Sequence, residues 1–189
     1  MTLRSPLAPV RFPDLPEIDG LRLAVAASGL KYKNRHDLLL MTLCETANVA
    51  GVFTQSDAAA APVIWSREVL ASGRAGAILT NAGNANAFTG ECGRDTVHQT
   101  SAALADALGI SADQILLAST GVIGEPLESE KLSAYFPQLV ANQGAGWEQA
   151  AGAILTTDTF PKGAHVTCDI DGVSVNICGI AKGSGMIAP

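Results

Sequence analysis

Short apolar runs of strand length alternate along this chain with stretches of helical character, and that alternation limits the fold more than any other feature. Residues 21–27, 38–43, 49–53, 75–79 and 115–118 are apolar runs of strand rather than helix length. Residues 58–70, 93–108, 127–140 and 147–155 read as helix. Elements of both kinds in alternation predict an α/β fold. In the clearest helix, 93–108, Val97, Leu104 and Leu108 form one stripe with the small Ser101 between them, and Gly109 follows as a C-cap. Asp95 and His98 read there as surface or cap residues. Pro137 is an obstacle within 127–140.

From His165 the period changes to two. Val166, Cys168 and Ile170 alternate with polar residues, as do Val173, Val175 and Ile177, and Asp171-Gly172 between them is a strong hairpin signal. Residues 1–18 carry Pro6, Pro9, Pro13 and Pro16 and form an extended arm. The chain ends in an apolar stretch directly after a Gly-rich loop, which reads as a cut or truncated end.

Hydrophobic residues make up 48% of the 189 and charged residues 16%. With a mean hydropathy of +0.25 this composition packs a core and excludes disorder. So little charge also suggests that part of the surface is buried against a partner. The 12 basic residues are outnumbered by 18 acidic ones, and the densest cationic group, Lys31, Lys33 and Arg35, is interrupted and reads as a solvated loop. No nucleic-acid partner is expected. With no apolar leader and no run near 18 apolar residues, no membrane association is expected either, and the cytoplasm is the expected location.

Cys44, Cys92, Cys168 and Cys178 form no CxxC pair, and His36, His98 and His165 have no ligand spacing, so no metal site is expected. Cys168 and Cys178 lie within reach of a hairpin pairing, but free buried thiols are the expected state. Residues 179–184 lack the order of a phosphate-binding loop, since Lys182 precedes the last Gly instead of following it. No G-x-S-x-G is present.

Four segments can carry chemistry, and each has a plainer alternative. Asn81-Ala82-Gly83-Asn84-Ala85-Asn86-Ala87 is a self-bonded loop at a strand end, either an ordinary turn or part of a site. Ser119-Thr120-Gly121-Val122-Ile123-Gly124 is a glycine-rich turn, or an oxyanion hole made by a Thr hydroxyl beside a free backbone N–H. Thr156-Thr157-Asp158-Thr159 caps its own helix end, or binds an amino-acid substrate through its hydroxyls. Lys182, before Gly183-Ser184-Gly185, is a surface lysine or an anion contact.

Taken in this order and spacing, these four segments, with Pro161-Lys162 and the ending Met186-Ile187-Ala188-Pro189, resemble the N-terminal half of the ornithine acetyltransferase (glutamate N-acetyltransferase) family. The resemblance runs from about residue 8 to the end. It implies an autoprocessed precursor, cut before a Thr in a Met-Ala-Thr stretch shortly after the Pro, with that Thr as the nucleophile of a β chain. Residues 19–189 would then be the α-chain part of one catalytic unit shared with the β chain. The implied fold is a layered α/β structure superficially like the N-terminal nucleophile hydrolases. The implied assembly is a heterotetramer or larger, in the cytoplasm.

The implied chemistry is ping-pong acetyl transfer from N2-acetyl-L-ornithine to L-glutamate through an acetyl-threonine. Some members also take acetyl-CoA as a substrate, and no cofactor or metal is implied. On the same resemblance Thr120 and Gly121 form the oxyanion hole, and Thr156 and Lys182 bind substrate. An N-terminal Thr can use its own amine as base, so no His partner is needed. Two other readings remain: a subunit of an amidase or aminopeptidase with the same kind of nucleophile, and a noncatalytic small-ligand binding domain.

Overall fold

The computed structural model describes residues 4–185, so the apolar end at 186–189 lies outside the described residues. A four-stranded sheet runs in the order β1 (Leu21–Ala26), β2 (Leu38–Asn48), β3 (Arg74–Asn84), β4 (Ile115–Val122). The first two pairings are antiparallel and β3–β4 is parallel. A parallel neighbour needs a crossover, which α2 (Gly90–Leu108) supplies. The other helices are α1 (Ala61–Leu70), α3 (Ser129–Ser133), α4 (Phe136–Ala141) and α5 (Trp147–Ala153). Strands β5 (Lys162–Ile170) and β6 (Val173–Ala181) form a separate hairpin.

Three consecutive leucines show how the layers arise. Leu38, Leu39 and Leu40 are all buried, but successive strand residues face opposite ways. Leu38 and Leu40 join Leu79, Leu104, Ile115, Leu132 and Phe136 on the face covered by α2, α3 and α4. Leu39 joins Leu23, Ala150, Ala153 and Ile154 on the face covered by α5. With helices on both faces the strand becomes an apolar run without alternation. Ala150, Ala151 and Ala153 let α5 approach closely, and α5 also touches β5 and β6. The result is a layered α/β structure.

Several boundaries differ from the sequence expectation, each for a tertiary reason. No strand forms at 49–53: β2 ends where Asn48 faces Arg74, the first residue of β3, and Val52 is exposed. Residues 127–140 divide into α3 and α4, with Pro137 in the first turn of the second, where its missing N–H costs nothing. Strands β3 and β4 run on through Asn84 and Val122, because the two segments expected to be loops pair with each other.

Asp171 and Gly172 both have positive φ, 54° and 80°, as a two-residue hairpin turn of the primed type requires. Cys168 faces Val175 and Cys178 faces His165, so the hairpin does not set the two cysteines opposite each other. All four thiols are free, but none is buried: Cys44 and Cys92 are exposed, Cys168 and Cys178 half-buried.

The arm is extended but not loose. Trp147 Nε1 donates to the Pro16 carbonyl at 2.9 Å, and the Ser5 amide donates to Thr159 Oγ1 at 3.2 Å. The Phe12 ring lies over Gly163, where a Cβ would come within 2.4 Å of it.

Strand β4 ends the sheet, and an uncovered edge leaves backbone groups unpaired. Helix α1 covers it. Ser66 Oγ donates to the Leu117 carbonyl at 2.7 Å and accepts from its amide at 2.9 Å, while Trp65 Nε1 donates to the Ile115 carbonyl at 2.9 Å. Because Ser66 and Leu117 are buried, Ser66→Ala leaves both Leu117 groups unpaired. Chemical denaturation should show a loss of about 1–3 kcal/mol, far more than an exposed serine would give.

Candidate functional site

Ligand sites of open α/β sheets gather beyond the carboxyl ends of parallel strands. Here those ends belong to β3 and β4, where Ala82 faces Thr120 and Gly83 faces Gly121. Gly121 has φ +139°, and a Cβ on it would lie 2.3 Å from the Gly83 carbonyl carbon. Gly83 has φ +117°, and a Cβ there would meet Lys31 at 2.9 Å. Two glycines and the loop that carries Lys31 therefore stack with no room for side chains.

The three asparagines hold this end rigid. Asn81 Nδ2 donates to the Asn84 carbonyl at 2.8 Å, and its Oδ1 accepts from Ser119 Oγ at 2.6 Å. Asn84 Oδ1 accepts from the Asn86 amide at 2.7 Å and its Nδ2 donates to the Glu125 carbonyl at 3.0 Å. Asn86, at φ +45°, donates to the Gly93 carbonyl at 2.9 Å and accepts from Thr89 Oγ1 at 2.8 Å. All three are buried, so the expected self-bonding extends to both strands and the start of α2.

Three distant segments converge on this end. The Lys182 ammonium, just beyond β6, donates to Thr120 Oγ1 at 3.0 Å and to Thr156 Oγ1 at 3.1 Å, spanning 62 and 26 residues of sequence. Three of the four expected site residues thus share one ammonium. The fourth, Gly121, adjoins Thr120 and packs backbone to backbone on Gly83. None of the four lines the cleft of about 550 Å³ between arm residues such as Phe12 and Glu17 and loop 143–148.

Beside them sits a group whose connections the sequence reading missed. The Asp158 side chain is fully shielded and accepts from Lys162 Nζ at 2.7 Å, the Gly183 amide at 2.6 Å and the Thr156 amide at 3.3 Å. Burial pushes its carboxyl up. The hydrogen bond from Lys162, the two amides and the Lys162 charge outweigh that and hold it below the usual carboxylate range. The available signal was the Asp158–Lys162 spacing of four, beside a threonine already singled out. Lys182, in contrast, makes no ion pair within 4 Å among the described residues and is exposed.

The loop expected to be solvated borders the same region. Asp37, fully buried, accepts from Ser28 Oγ and from the Ser28 and Gly29 amides, fixing the loop base. Arg35 stacks over Tyr32 at 4.0 Å and donates to the Leu155 carbonyl, next to Thr156. Among the described residues no group of three or more His, Cys, Asp or Glu is placed to hold a metal ion. Nor is any helix among them long and apolar enough to cross a membrane.

Fold and site together define a layered α/β chain that gathers hydroxyls, close-packed glycines and an ammonium, without an ion-pair partner among the described residues, at the ends of two parallel strands. Comparison with known proteins gives the family. Residues 22–189 match the ArgJ family, and the chain belongs to it. It is 51% identical over 186 residues to the arginine biosynthesis bifunctional protein ArgJ of Agrobacterium fabrum, covering 98% of this chain and 45% of that protein. It thus spans about half the length of the curated relatives it matches.

Among solved structures it is similar to the ornithine acetyltransferase of Mycobacterium tuberculosis in complex with ornithine, with TM-score 0.82, 38% identity and coverage of 90% of this chain and 92% of that one. The argJ protein of Bacillus halodurans matches with TM-score 0.82 and 33% identity, covering 90% of each chain. The layered α/β fold expected from the sequence is the fold of these structures.

Gly121→Ala places a methyl group inside the Gly83 backbone at a φ that L-residues avoid. It should cost about 3 kcal/mol or more and sharply lower soluble yield, as equilibrium unfolding will measure. Asp158 makes a pH prediction. Because its folded pKa is depressed, its stabilisation is full above the unfolded value and is lost as pH falls through the folded one. The Tm difference between wild type and Asp158→Asn should therefore shrink as pH drops below the carboxylate range and stay constant near neutrality.

Proposed function

We propose that this chain is the α part of an autoprocessed acetyltransferase, acting in the cytoplasm and moving acetyl from N2-acetyl-L-ornithine to L-glutamate. The observation that carries the reading is the Lys182 ammonium joined to the Thr120 and Thr156 hydroxyls beside Gly121. Each hydroxyl accepts from the cation, so its own proton is free to donate into the site, and the cation strengthens it as a donor. Thr120, with the amide of Gly121, then faces the oxyanion that forms at the acetyl carbonyl. Lys182 and Thr156 hold the carboxylate of the amino-acid substrate.

The nucleophile of this reading is the N-terminal Thr of a β chain cut from the same precursor. Its hydroxyl attacks the acetyl carbonyl and passes its proton to its own amine. Ornithine leaves with that proton, and the α-amine of glutamate then takes the acetyl group from the acetyl-threonine. Acetyl-CoA can enter as an alternative donor at the first step.

The hairpin supports a partner. Val166 pairs with Ile177 and Ile170 with Val173 on one face, and all four are more than half exposed. A row of this kind is a docking face in search of cover, and the β chain is the cover proposed, in a heterotetramer or larger assembly.

Expression of the full-length gene tests the reading. Two chains should copurify and transfer acetyl between the two amino acids; a stable uncut chain, or processed chains without transfer, overturns it. In the processed enzyme Thr120→Ala should lower kcat by about 10²–10³ with little change in Tm. Lys182→Met should lower kcat/KM for N2-acetyl-L-ornithine by about 10- to 150-fold in steady-state assays.

A further inference from the structure

We infer that Asp158, neutralised by Lys162, is a positioning residue that sets where the Lys182 ammonium stands, and so makes the site select, among N-acylated amino-acid donors, those with a free carboxylate. This rests on the acetyl-transfer reading above. An exposed lysine on a four-carbon stem ordinarily samples many rotamers, and here the chain around it is glycine-rich. What fixes the ammonium is one shielded carboxylate. Asp158 Oδ1 holds the amide of Gly183, the residue after Lys182, at 2.6 Å, and Oδ2 holds the amide of Thr156 at 3.3 Å. Thr156 is itself an acceptor of the ammonium. The same side chain thus ties down the backbone on both sides of the Lys182–Thr156 bond. Gly183 reaches it at φ +145°, a conformation closed to most residues.

The arrangement also separates charges. Two lysines lie near one carboxylate, and the ion pair goes to Lys162, 30% exposed, at 2.7 Å. Among the described residues the Lys182 ammonium bonds to neutral hydroxyls and to no carboxylate. A carboxylate bonded directly to Lys182 would cancel the field that a substrate carboxylate needs, whereas one already neutralised by Lys162 places the ammonium without quenching it. A positive charge held 3.0 Å from Thr120 Oγ1 then stands at a set distance from the proposed oxyanion position. Such a site accepts N-acyl α-amino acids and discriminates against the same donors with the carboxylate converted to carboxamide.

The test uses the full-length processed enzyme and two donors, N2-acetyl-L-ornithine and its carboxamide. Asp158→Asn should raise KM for the carboxylate donor by about 10- to 100-fold with kcat within threefold, and change the carboxamide by less than threefold. In a Lys182→Met background Asp158→Asn should add little. Lys162→Met leaves both backbone bonds of Asp158 intact but frees its charge to capture Lys182. It should lose the same preference, and it carries the test if Asp158→Asn does not fold. Equal losses on both donors, or effects that add independently of Lys182, overturn the proposal.

Wild type that transfers no acetyl overturns the acetyl-transfer reading instead. NMR of the Lys182 side chain then decides the positioning role without substrate. The ammonium should be ordered in wild type, averaged in Asp158→Asn, and moved from the two hydroxyls into an ion pair with Asp158 in Lys162→Met; a Lys182 signal unchanged in both variants overturns the proposal.

Discussion

The rest of the site depends on how closely two glycine backbones approach at the ends of β3 and β4. With any side chain at Gly121 the strands would part, and the pairing that runs through Asn81–Ser119 and Ala82–Thr120 would end earlier, while one at Gly83 would displace the loop that carries Lys31. Because they meet, Thr120 stays on a paired strand, with its hydroxyl presented by a rigid element. The asparagines then satisfy backbone groups that this irregular end leaves without strand partners, which is why three of them are buried within six residues.

Charge is distributed on the same plan. A buried carboxylate is tolerated when it is paired and hydrogen-bonded, and Asp37 and Asp158 meet that condition differently. Asp37 uses two amides and a hydroxyl to hold the base of the loop that packs on Gly83. Asp158 uses two amides and an ammonium to join the segment after α5 to the end of β6. Both carboxylates are taken up by these partners. They build the frame, and the exposed Lys182 ammonium is left without a counter-charge among the described residues.

The sequence was most readable where a local rule decides the outcome. Asp171-Gly172 specifies its turn because both residues must take positive φ, and Gly109 ends α2 at φ 67° for the same reason. The leucines at 38–40 announced a strand, although not that each of its faces belongs to a different layer. Reading failed where pairing is long-range. Residues 119–122 look like a loop by composition, and so do 81–84, yet each is the other's strand partner. Residues 49–53 look like a strand but find no neighbour. Thr120, Thr156 and Lys182 were singled out separately, and only the tertiary structure brings them to one ammonium. Arg35 gave no local sign that it would cross 120 residues to the Leu155 carbonyl.

The proline-rich arm has a consequence for the order of events during synthesis. Its anchors are Trp147, Thr159 and Gly163, between 131 and 154 residues away for the two hydrogen bonds. The arm precedes the sheet in the chain yet is seated after it, since its anchors lie in α5 and around the start of β5. Until then the arm stays unanchored next to a sheet that is already able to form. Closure of the arm is thus a late step in folding, open only to a chain translated through the segment from Trp147 to Gly163.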